Sequence, residues 1–111
     1  MILDLLKNEP GNIQFNDVIA HIDSNYDFTP TKFTNGEIVN EANQNNGSCK
    51  IFSFAKLNSL SKDETLSLFG AFYSKDVLEH PNSDDHQNIR NFMKFGWAGI
   101  IFEGEALVEK I

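Results

Sequence analysis

One cysteine stands in the whole chain of 111 residues, and that scarcity removes two classes of protein at once. Without a second thiol there is no internal disulfide framework, and without a cluster of thiols there is no multi-cysteine zinc site. Basic residues are also few. Nine lysines and arginines against sixteen aspartates and glutamates give a formal net charge of −7. The basic residues are scattered singly, so no patch exists to displace counterions from phosphates, and neither nucleic acid nor an anionic membrane is expected as a partner. No apolar run approaches the roughly 20 residues that span a bilayer. The apolar opening Ile2-Leu3-Asp4-Leu5-Leu6 is too short for a signal-peptide core and is broken by Asp4. No phosphate-binding glycine loop, internal repeat or interdomain linker is found. These absences leave a single domain over residues 1–111, made and folded in the cytoplasm, with no cofactor or metal expected.

What the chain does have is phenylalanine. Ten in so short a sequence predict a core built on aromatic rings, each contributing about 1.5–3 kcal/mol when fully buried. The spacing of Phe15, Val18, Ile19, Ile22 and Tyr26 predicts a helix with one buried face, capped by Asn12 or Asn16. Alternation changes the period from Phe28, and Asn35-Gly36 predicts a type I′ hairpin ahead of Ile38-Val39. Pro30 pushes its half of that segment toward an edge or a bend. A polar loop from Asn40 to Ser48 follows, and then an apolar stretch, Cys49 to Leu60, whose length favours a helix capped by Ser48 over the alternative of a strand start.

Ser61-Lys62-Asp63-Glu64 matches a capping box opening a helix that carries Leu66, Phe69 and Tyr73 on one face. Gly70 inside it implies close approach by a neighbouring segment. Asp84 or Asp85 is expected to cap a helix with Ile89, Phe92 and Met93 inward, ended by Gly96. Trp97 reads as a core ring whose N–H needs an acceptor. Gly99 to Phe102 reads as a buried strand, Glu103-Gly104 as a turn, and Glu105 to Val108 as a partner strand or short tail. The whole is an α+β fold, with several short helices packed on a small, mostly antiparallel sheet.

Two regions could carry a site. Asn40, Glu41, Asn43, Asn45, Asn46 and Ser48 offer many donors and acceptors with little charge, suited to a sugar or a peptide backbone. The competing reading is that asparagine and glycine stand there for left-handed turn angles. The second region is Asp84, Asp85, His86, Asn88 and Arg90, where His86 and Arg90 would grip one anion from the same side of a helix. The competing reading is a capped helix with a salt-bridged face, or an Arg90 that ties down the polar loop through Glu41. Cys49 is a nucleophile only if its pKa is lowered, and a lone cysteine before Ile51-Phe52 is more simply a small buried hydrophobe. A zinc site of His80, His86 and Asp85 has no ligand spacing behind it.

Three stretches resemble a known family. Tyr26-Asp27-Phe28-Thr29-Pro30-Thr31 closing on Asn35-Gly36, the run from Asn40-Glu41 through Asn46-Gly47-Ser48-Cys49-Lys50-Ile51-Phe52, and the longest, Asp76-Val77-Leu78 with Pro81, Asp85 to Met93 and Gly96 to Ile100, are similar to the HopJ (HopPmaJ) type III effector family. The resemblance implies a bacterial protein named for delivery into host cells through a type III secretion system. It implies no biochemical activity. The apolar start differs from the serine-rich leader expected of a secreted effector, which keeps residence in the bacterium open as well. On residues and resemblance together, the leading expectation is a protein-interaction module with a bacterial or host protein as partner. The alternative is a small hydrolase or lyase on a polar substrate, with Glu41 or His86 moving protons, Arg90 holding an anionic group and Cys49 as an outside nucleophile.

Overall fold

The computed structural model describes residues 2–110. Its organising element is α3 (Asn46–Leu57), in which Ile51 through Ala55 are all buried, so the helix is covered on every side and the rest of the chain wraps it. Phe52 stands at its centre. Its ring meets those of Phe33, Phe69 and Phe92 at centroid distances of 6.1, 5.5 and 4.9 Å. Phe33, Phe52, Phe54, Phe69 and Phe92 are fully buried, and each ring removed from water contributes about 2 kcal/mol, so the phenylalanine core expected from composition is present.

Around α3 lie α1 (Ile2–Asn8), a 3₁₀ turn at Pro10–Asn12, α2 (Phe15–Asn25), α4 (Lys62–Ser67), a π-helical turn (Phe72–Val77) and α5 (Gln87–Phe95). Val18 and Ile22 of α2 face inward as their spacing requires. Its N-cap is Gln14, however, and neither Asn12 nor Asn16 caps it. The strands are β1 (Tyr26–Phe28), β2 (Phe33–Asn35), β3 (Ile38–Asn40), β4 (Ile100–Phe102) and β5 (Leu107–Glu109). They form an antiparallel β1-β5 pair and an antiparallel sheet ordered β3-β2-β4, which gives the α+β architecture.

The two sheets share one ladder. Tyr26 pairs with Glu109 and Asn35 with Ile100, in the same register throughout, with Thr29 N–H to Ala106 O (2.8 Å) and Glu103 N–H to Lys32 O (3.0 Å) between them. The interruption falls at Pro30, which has no N–H to give. Residues 105–108, expected as a partner strand or short tail, enter a strand from Leu107, but its partner is β1 and not β4. Glu103-Gly104 is a bend, and the chain continues past it to pair with β1. Nor is β4 buried on both faces, since Ile101 is exposed while Ile100 is not.

Four local expectations are corrected by backbone conformation. The β2–β3 hairpin forms, but its two-residue turn is Gly36-Glu37, with positive φ at Gly36 alone, which suits type II′ and not type I′. Helix α3 begins at Asn46, so Ser48 lies inside its first turn and the cap position is Asn45. Helix α5 is preceded by His86, and neither Asp84 nor Asp85 caps it. The capping box at Ser61 is formed as expected, with Glu64 N–H to Ser61 Oγ at 3.1 Å and Ser61 N–H to Glu64 Oε1 at 2.9 Å. Yet α4 stops at Ser67, because Gly70 turns to φ +58° and starts a new direction.

That turn brings Gly70 against the backbone of the α2 entry, where an added Cβ would lie 3.0 Å from both Ile13 O and Phe15 N. Gly70→Ala is therefore expected to lower the unfolding free energy by at least about 1–2 kcal/mol, the usual penalty of a left-handed non-glycine residue. Gly11→Ala, which meets nothing within 4 Å, should change it by less than about 0.5 kcal/mol in the same denaturant titration. Equal effects would contradict the close approach.

Candidate functional site

Strand alternation turns Phe33 and Asn35 of β2 and Asn40 of β3 to the same buried side. Two side-chain amides out of water need partners, since each unsatisfied polar group costs about 1–3 kcal/mol. Asn88, in the first turn of α5, supplies them. Its Nδ2 donates to Asn40 Oδ1 (3.0 Å), and its Oδ1 accepts from Asn40 Nδ2 (3.1 Å) and Asn35 Nδ2 (3.0 Å). Asn35 Nδ2 also reaches the Asn88 carbonyl at 2.7 Å, and Asn91 Nδ2 donates to the Asn35 carbonyl at 2.9 Å. From the polar loop, Asn45 Nδ2 donates to Asn40 Oδ1 at 2.6 Å. The hairpin, the loop and α5 are thereby joined through one set of asparagines.

This junction sets two helix starts side by side. Asn45 before α3 and His86 before α5 both have left-handed angles (φ 53° and 50°), and neither side chain caps its helix. The first internal bonds are Cys49 N–H to Asn45 O and Arg90 N–H to His86 O. The amides of residues 46–48 and 87–89 therefore have no partner within their own helices. Between the two starts lies a cleft of about 380 Å3. Asn45, Gly47 and Ser48 line it from α3, and His86, Gln87 and Asn88 from α5. Phe15, Phe69 and Phe72 form an apolar wall, and none of the lining residues is acidic.

Of the residues singled out in the sequence, Asn45, Ser48, His86 and Asn88 line the cleft, and Asn40 bonds Asn45 and Asn88 beneath it. Asn46 is half-buried at the start of α3. Glu41 and Asn43 are exposed and lie outside the cleft, Asn43 with φ 72° as a turn residue and Glu41 with its N–H bonded to Gln44 Oε1 (3.1 Å). Arg90 does not reach Glu41. Its guanidinium donates to Asp85 O (2.6 Å), Asp85 Oδ1 (2.7 Å), Pro81 O (3.2 Å) and Asp76 O (3.4 Å), which fastens the connection before α5. The hydrogen bond from Arg90 holds the Asp85 carboxyl below its ordinary range. Thus, of Glu41, His86 and Arg90, only His86 lines the cleft.

His86 is itself held on three sides. Its Nε2 lies 3.0 Å from Asp76 Oδ2 and 3.8 Å from Asp85 Oδ2, and its ring packs on Phe72 with centroids 5.1 Å apart. Asp76, Asp85 and His86 bring ligand atoms within 4.8 Å of one another, but the Arg90 guanidinium on Asp85 opposes a cation there. His80 is exposed and takes no part in that group. Cys49 is buried, and burial pushes its thiol up, against smaller pulls from the Thr31 backbone and the Ser53 hydroxyl. That is the reverse of an activated nucleophile.

Sequence reasoning missed Asn35, Asp76, Phe15, Phe72 and Gln87. For Asn35 a signal existed, because it follows Phe33 at the period-two spacing of an inward face. Asp76 and Phe72 reach His86 from a separate turn of chain, which no local pattern announces.

Replacing Asn88 with alanine should destabilise the protein by about 2–3 kcal/mol, because the Asn40 amide is then buried with its donor unpaired. A loss under about 0.5 kcal/mol in denaturant titration would mean that the asparagines do not hold the junction. Cys49 in the native protein should react with an aromatic disulfide reagent at least about 100-fold more slowly than in urea, as a buried, protonated thiol must. Equal rates would restore it as a candidate nucleophile.

Among the described residues, no helix is long and apolar enough to cross a membrane. No curated protein matches the chain. Among solved structures, the crystal structure of VPA0580, a protein of unknown function, is similar with a TM-score of 0.96 and 58% identity, covering 97% of this chain and 90% of that one. Over residues 1–107 the sequence matches the model of the HopJ type III effector protein family. With that match over nearly its whole length, the chain belongs to the HopJ type III effector protein family.

Proposed function

We propose that this domain is a protein-interaction module and that the cleft between the starts of α3 and α5 is its binding surface. The observation that supports this is the pairing of two unlike surfaces in one hollow. Backbone N–H groups without a partner in their own helices stand at two helix starts, while Phe15 and Phe72 offer an apolar wall. A peptide segment has both complements, with carbonyls for the amides and a side chain for the rings. Phe72, 39% exposed yet fixed between Phe15 and His86, is the kind of rigid aromatic surface on which binding energy concentrates. The partner is a bacterial protein or, if the domain is delivered as its family name describes, a host protein.

Gln87 sits exposed on the rim, so Gln87→Trp would fill the cleft without disturbing the core. A partner isolated with the wild-type protein, then purified, should bind this variant at least about tenfold more weakly, a loss of roughly 1.4 kcal/mol. Gln87→Ala should bind within about twofold of wild type, and the melting temperatures of all three should agree within about 2 °C. Equal affinity of Gln87→Trp and wild type would rule out the cleft as the binding surface.

A further inference from the structure

A second and larger hollow, about 550 Å3, lies on a different side chain set altogether. Ser53, Lys56 and Leu57 of α3 form one flank, and Phe102 with the β5 residues Leu107, Val108 and Glu109 forms the other. It is the groove between a helix and the outermost strand. That strand has a free edge: β5 pairs with β1 and β4 with β2, and no further strand follows either among the described residues.

Backbone direction identifies the open groups. Ala106 accepts from Thr29 N–H and Lys110 N–H donates to Asn25 O (3.0 Å), so both turn toward β1. By alternation, Leu107 and Glu109 turn their N–H and C=O groups outward along the groove. Ser53 lines the groove from α3 but is itself buried, so the exposed lining there is Lys56 and Leu57. An apolar channel beside an unpaired strand edge is the arrangement that accepts an added strand.

Charge selects the occupant. Glu105 and Glu109 line this edge, and Lys56, the basic residue of the groove, packs over the Phe102 ring at 5.6 Å. A second copy of this chain, at −7, would be repelled. We infer that the β5 edge binds an extended segment of a partner protein in which lysine or arginine alternates with apolar residues, the basic side chains meeting the glutamates and an apolar one entering over Leu57. This surface is separate from the cleft at His86, and its failure leaves that reading intact.

The test uses a peptide of roughly seven residues alternating lysine and valine, with a glutamate–valine peptide as its counterpart. Binding of the first should slow hydrogen exchange of the Leu107 and Glu109 amides at least about tenfold, as formation of ladder bonds requires. Glu105→Lys combined with Glu109→Lys should weaken binding at least about tenfold, whereas Gln87→Trp should leave it unchanged. The inference is overturned if the lysine–valine peptide does not bind. It is equally overturned if the peptide binds without protecting those two amides, or if the glutamate–valine peptide binds as well.

Discussion

The reciprocal amide pair between Asn40 and Asn88 is the contact on which the arrangement of this domain turns. Side-chain amides are costly to bury, and a pair that satisfies both donors and both acceptors has few geometries open to it. Asn40 ends a strand and Asn88 begins a helix, 48 residues later in the chain, so their two bonds fix the hairpin and α5 in one relative position. Hydrophobic packing of Phe33, Phe52 and Phe92 favours the same approach but tolerates sliding. The amides do not. Asn35 and Asn45 extend the lock to the neighbouring strand and to the loop before α3, and one acceptor, Asn35 Oδ1, is left without a protein partner.

From that lock the cleft follows. Asn45 is pulled down to Asn40, and Asn88 to the hairpin, which sets the two helix starts next to each other. Both begin from left-handed residues whose side chains are directed to other work. Asn45 bonds Asn40, and His86 lies against Asp76 and Phe72. The helix starts therefore remain uncapped by their own residues, a condition most helices avoid. Arg90 then secures the connection that leads into α5 through four bonds to its backbone and to Asp85. The residue that looked most like an anion-binding group in the sequence is a fastening.

The sequence was most legible where one local rule governs. Helical spacing located α2 and α5, the Ser61 box located the start of α4, and the number of phenylalanines foretold an aromatic core. Trp97 finds an acceptor for its N–H in Leu60 O at 3.0 Å, as its type requires. Where two rules compete, the reading went astray. Ser48 is a good cap by residue type, yet α3 starts three residues earlier, after an Asn45 whose side chain is hydrogen-bonded to Asn40. Asp84 and Asp85 are good caps as well, but Asp85 is taken by Arg90. The stretch Glu103-Gly104 has turn chemistry, but pairing in one register with residues on both sides of Pro30 carries the chain straight on. The polar run from Asn40 to Ser48 has the composition of a loop, although its first member, Asn40, is 1% exposed. Nothing near Asn40 in sequence reveals that its partner waits at position 88.

The most direct test of this account is hydrogen exchange at the side-chain amides of Asn40 and Asn88, followed by nuclear magnetic resonance. If their pairing holds the hairpin to α5, these hydrogens exchange only when the whole protein unfolds, with the same free energy as the most protected amides of α3. Exchange as rapid as that of the exposed Asn43 side chain would contradict it, and would leave the junction to hydrophobic packing alone.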